Sequence, residues 1–109
     1  MPRLISRGRF TQEYAKRLVG APEDREPAVR KVIEAAGGKL LNFYFTTGDA
    51  DFVIIAEGES EAIIAALMAA AAAGMVCDIS TSRAWTGAEF KAVAEKAARV
   101  AGKYRPPGK

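Results

Sequence analysis

Five consecutive apolar residues, Phe52-Val53-Ile54-Ile55-Ala56, constrain this chain more than any other segment. They directly follow a turn signal, Gly48-Asp49-Ala50-Asp51. In a strand, Phe52 and Ile54 point to one side and Val53 and Ile55 to the other. A strand apolar on both faces belongs at a sheet centre with both sides covered. The fold must therefore supply two covers for one sheet.

The neighbouring segments identify the sheet. Arg3 to Phe10 reads as a first strand, with Leu4, Ser6, Gly8 and Phe10 on one face and Ile5, Arg7 and Arg9 on the other. Gly8 inside it marks a bulge or a close backbone approach. Thr11 caps a short helix to about Val19, with Tyr14, Ala15 and Leu18 on one side. A second helical piece begins near Glu26-Pro27, with a buried stripe of Val29, Val32, Ile33 and Ala36, and Gly37-Gly38 stops it. Lys39 to Thr47 is a second strand, with Leu41, Phe43 and Phe45 opposite Leu40 and Tyr44. The turn makes a hairpin with the third strand, Phe52 to Ala56.

Ser60 is placed to cap the next helix. Ile63, Ile64, Leu67 and Met68 form its expected buried side, and Ala69 to Ala73 make it narrow. Val76 to Ala84 is a more polar strand, expected near an edge. Thr86 and Glu89 form a capping box for a last helix with a stripe of Phe90, Val93, Ala94, Ala97 and Ala101. Residues 105–109 cannot continue it and read as a flexible tail.

The order β-α-β-β-α-β plus a C-terminal helix is that of an α+β, ferredoxin-like sandwich. Its four antiparallel strands are expected in the order 4-1-3-2, within one domain spanning residues 1–104. The helices cover one face of this sheet. Two candidates compete for the other, a second copy of the chain and the C-terminal helix. Covering a few hundred Å² at ~25 cal/mol per Å² favours association before entropic costs. Two-fold homodimers are the commonest oligomers, so a dimer is the favoured cover.

Composition removes several chemistries. The 109 residues contain no histidine and one cysteine, Cys77. A Ser/His/Asp triad, a Cys/His zinc site and an intrachain disulfide are excluded. No signal peptide is visible near Met1, since arginines interrupt the apolar residues, and the apolar run from Ala62 to Val76 is short for a bilayer. The expected location is a reducing compartment, most simply the cytoplasm. Cys77 is either a redox thiol or, as lone strand cysteines more often are, a small hydrophobe.

The net charge of +3 is unevenly spread. No Lys or Arg occurs between Leu40 and Ser82, while both ends are basic. The basic residues do not alternate with aromatics, so neither nucleic acid nor membrane is an expected partner.

The opening strand from Leu4 to Thr11, then Gly37-Gly38-Lys39-Leu40, then Phe43 to Ile55, resemble the GYD domain proteins. These are small proteins of the dimeric α+β barrel type. In that family a glycine is followed closely by Tyr-Asp and a β-branched strand. Gly48 and Asp51 match that hairpin motif, and Ala50 stands at the aromatic position. The resemblance implies a ferredoxin-like fold and self-association, and no particular activity.

Candidate ligand-binding residues follow from chemistry and placement. Arg7, Arg9 and Arg83 could gather guanidinium groups for a small anionic ligand, or pair with acids of their own chain or a partner. Tyr44 and Trp85 could line a pocket between subunits, or pack as interface aromatics. Asp49 and Asp51 make an incomplete metal site, and aspartates in turns more often accept backbone hydrogen bonds. No metal and no cofactor are expected. The leading expectation is a homo-oligomeric binding or accessory protein. The alternatives are a cofactor-independent enzyme, resembling small monooxygenases or isomerases, and a sensor of an anionic metabolite.

Overall fold

The computed structural model describes residues 1–108, and Lys109, the last residue of the predicted tail, lies outside the described residues. The elements are β1 (Arg3–Phe10), α1 (Gln12–Gly20), α2 (Glu26–Ala35), β2 (Lys39–Phe45), β3 (Phe52–Glu57), α3 (Ser60–Ala72), β4 (Val76–Ala84) and α4 (Gly87–Val100), with a single 3-10 turn at Ala101–Lys103. The strands form one antiparallel sheet ordered β2-β3-β1-β4. This is the predicted ferredoxin-like α+β arrangement, with the apolar β3 in the interior and β4 at an edge.

The core lies between the sheet and helices α2 and α3. Leu4, Leu40, Phe52, Ile54 and Ala56 meet Ile33 of α2 and Ile63, Ala66 and Leu67 of α3. Ser6 is fully buried among them, and its hydroxyl pairs with that of Thr81 at 2.9 Å. That bond meets the requirement of a polar group removed from water.

Gly8 answers both expectations placed on it. The β1–β4 register shifts between Arg7 and Arg9, where β4 carries an extra residue beside Asp78. Asp78 has φ 51°, a left-handed backbone that a β-bulge tolerates. On the other side, a Cβ at position 8 would lie 2.6 Å from the ring of Phe52.

Three details of packing depart from the sequence reading. In β2 the register against β3 shifts between Leu40 and Asn42. This bulge breaks strict alternation, so Leu40 sits opposite Ala56 on the core side, together with Phe43 and Phe45. In α3 the buried residues are Ile63, Ala66 and Leu67, while Ile64 and Met68 are exposed. That helix is apolar nearly all round, so periodicity could not select its inner face. Its N-cap is Glu59 rather than Ser60, and no side chain caps it.

The largest departure concerns α4. Its capping box forms as predicted, with Thr86 Oγ1 accepting from the Glu89 amide and Glu89 accepting from the Thr86 amide. Yet every residue of α4 is exposed, Phe90, Val93 and Val100 included. Side chains of its first turn hold it, Glu89 to Arg3 at 3.2 Å and Phe90 to the Trp85 ring. The Cα radius of gyration is 17.8 Å, against about 13 Å for a packed chain of 100 residues. The helix therefore projects from the sheet and does not cover its second face.

Candidate ligand site

A chain of aromatic contacts lines the helix side of the sheet. Phe10 ends β1, and Thr11 turns the chain into α1 by accepting from the Tyr14 amide at 3.2 Å. That cap places Tyr14 flat against Phe10, with ring centroids 4.6 Å apart and planes within 4°. Phe10 also meets Phe45 at 5.3 Å and Phe52 at 6.4 Å, and Phe45 meets Phe43 at 4.9 Å. The opposite wall comes from Val29, Val32 and Ile33 of α2 and from Ala66, Ala69, Ala70 and Ala73 of α3.

The alanines do not reach the aromatic wall. A cavity of about 300 Å³ remains between the layers and is partly open to solvent. Its size lies at the small end of ligand pockets, and its lining has the usual apolar character with few polar groups.

Those polar groups are Arg25 and Tyr14, and among the described residues Arg25 is the only charged one in the lining. Arg25 is the N-cap residue of α2. Its Nε donates to Tyr14 Oη at 3.3 Å, and its Nη1 meets Glu23 at 3.1 Å. The bond to Tyr14 raises the guanidinium pKa above its ordinary value against partial desolvation, and Glu23 adds to the effect. Because Tyr14 Oη accepts from Arg25, its own O–H remains a donor. A second hollow, lined by Arg17, Leu18 and Glu23, shares Tyr14, Arg25 and Met75 with the cavity.

The residues singled out in the sequence lie elsewhere. Tyr44, Val53, Arg7 and Ser80 form one row across the open face of the sheet, and Asn42, Ile55, Ile5 and Ser82 the next. Ile5, Val53 and Ile55 are half-buried at its centre, and Tyr44 is 56% exposed. Arg9 donates to the Asp49 carbonyl at 3.4 Å.

Arg83 does not join Arg7 and Arg9. It sits opposite Leu4, and so projects on the helix side, where its guanidinium stacks 4.8 Å from the Trp85 ring centroid. Strand alternation keeps Arg7 and Arg9 on the open face and sets Arg83 on the other. Tyr44 lies on the edge strand β2, and Trp85 follows the opposite edge strand β4.

The hairpin motif joins β2 to β3. Gly48 takes φ 95°, the left-handed turn conformation that glycine adopts readily. Asp51 accepts from the Phe10 amide at 2.9 Å, while its own amide donates to the Gly8 carbonyl at 2.8 Å. Asp51 thus extends the β1 ladder beyond its last strand pair. Cys77 is half-buried on β4.

The cavity was not among the sites expected from the sequence, and neither were Phe10, Tyr14 and Arg25, which line it. The available signal was the run Ala69 to Ala73, since small residues facing an aromatic wall leave space.

A four-stranded antiparallel sheet with helices on one face, an open second face and an apolar cavity under the helices defines a ferredoxin-like α+β protein. The chain belongs to the GYD domain family, whose model matches residues 4–94, all four strands and the first half of α4. Comparison with curated proteins gives no match. Among the described residues no helix is long and apolar enough to cross a membrane.

Proposed function

We propose that this protein is a homodimeric binding module that holds a small organic molecule in the cavity between its sheet and its helices. The cavity carries this reading. It is preformed, bounded by packed aromatic rings, and polar only at Arg25 and Tyr14.

Two uncovered surfaces support the homodimer. The centre of the open sheet face is Ile5, Val53 and Ile55, and α4 exposes its apolar stripe. Helices of about 12–15 residues are marginal in water without tertiary packing. A second copy offers both surfaces a matching partner by symmetry. On this reading residues 1–104 act as one domain in the cytoplasm, and Arg7 and Tyr44 belong to the subunit seam.

A neutral fluorescent probe, N-phenyl-1-naphthylamine, tests the cavity. It is expected to bind with one saturable site per chain. Ala70→Phe, which fills the space from the α3 side, is expected to abolish binding while circular dichroism stays unchanged. Undiminished binding to a folded Ala70→Phe protein, or no binding to the original chain, would refute the assignment.

A further inference from the structure

Resting on the cavity reading above, we infer that the ligand is an amphiphilic monoanion, with its hydrocarbon tail among the phenylalanines and its carboxylate or similar head on Arg25 and Tyr14. Three observations converge on this chemistry. The inner lining is aromatic and aliphatic, with no polar side chain beyond the Arg25–Tyr14 pair. At a water share of about 30 Å³, a volume of 300 Å³ holds on the order of ten heavy atoms. A short chain or a single substituted ring fits that volume.

The head-group position is set by the Arg25–Tyr14 pair. Arg25 spends Nε on Tyr14 and Nη1 on Glu23, and its Nη2 makes no hydrogen bond within the described residues. Tyr14 retains its O–H donor. A planar anion there would take a charge-assisted bond from Nη2 and a second bond from Tyr14. Covering this end of the cavity with a neutral group would strip water from a guanidinium and return little.

Glu23 is the resident counter-ion and the obvious competitor. It is a weak one, since its side chain is 57% exposed and exposed ion pairs contribute little. Arg25 also forms part of the adjoining hollow with Arg17, so the head lies where the apolar cavity meets a charged, wetter vestibule.

Calorimetric titration with octanoate and 1-octanol separates the head from the tail. Octanoate is expected to bind at least about tenfold more tightly, the worth of one charge-assisted hydrogen bond. Arg25→Gln is expected to erase that preference by weakening octanoate to the level of octanol. Glu23→Gln is expected to strengthen octanoate binding by up to about fivefold. Equal binding of the two probes, or a preference that survives Arg25→Gln, overturns the anionic head and leaves the cavity reading standing. Loss of octanol binding in Arg25→Gln makes Arg25 a structural support and likewise overturns it. Failure of both probes to bind the original chain overturns the cavity reading together with this one.

Discussion

The ring of Phe52 lies directly against the backbone of Gly8, so close that a methyl group on residue 8 would sit 2.6 Å from Phe52 Cζ. Cross-strand neighbours β1 and β3 thus meet as backbone against ring. Phe52 is 3% exposed and also lines the cavity, so it has little room to retreat. Gly8→Ala is expected to destabilise the fold by roughly 1–3 kcal/mol, the usual cost of overpacking. Urea unfolding measures it. Phe52→Leu in the same chain should recover part of the loss, and a Gly8→Ala protein as stable as the original would contradict the contact.

Asp78 holds the β4 bulge in a left-handed conformation at φ 51°. Aspartate tolerates this region better than most residues, and β-branched side chains tolerate it poorly. Asp78→Val should cost on the order of 1–2 kcal/mol, and Asp78→Gly should be neutral or stabilising. Thermal unfolding of both variants checks the sign. A stable valine variant would mean that the bulge lies elsewhere.

Glu89 links the start of α4 to pH. Its carboxyl is held below the ordinary value of 4.5, first by the Thr86 amide and then, against slight desolvation, by the Arg3 guanidinium. A carboxyl lowered in the folded state stabilises fully above its unfolded value and loses that contribution as pH falls through its folded value. The first turn of α4 should therefore loosen below about pH 4.5, seen as faster amide exchange at Glu89 and Phe90. Glu89→Gln should show the looser state at neutral pH and little further change on acidification.

The helix itself supplies another test. With no residue of α4 buried in its own chain, removing residues 87–109 should leave the sheet and its core folded. The homodimer should weaken, because one of its two apolar surfaces is gone. Far-ultraviolet circular dichroism and sedimentation together read both effects. A truncated chain that no longer folds would place α4 in the monomer's own core.

The sheet was legible because its signals are local. Alternation in β1, the apolar run in β3 and the glycine turn between β2 and β3 each act within a few residues. Faces were harder. A single bulge at Leu41 moved Leu40 to the core side, and one at Asp78 resets β4 against β1. The second is marked by Gly8 opposite it, and the first has no comparable composition mark. In α3 the alanine-rich surface erased the contrast that would have shown Ile64 and Met68 to be outside.

The candidate site was less legible than the fold. Sequence directs attention to charged and aromatic residues on strands, and those lie on the open face or at its edges. The cavity is defined by what is missing, the side-chain volume absent from Ala66, Ala69, Ala70 and Ala73. Its polar end joins Tyr14 and Arg25 across two helices, a pairing that no spacing rule supplies.

The measurement that bears most directly on a homodimeric binding module is a native mass spectrum of gently purified protein at micromolar concentration. The expected spectrum shows two chains of 11.6 kDa together and a small adduct that Ala70→Phe removes. Single chains alone, without adduct, would contradict the account.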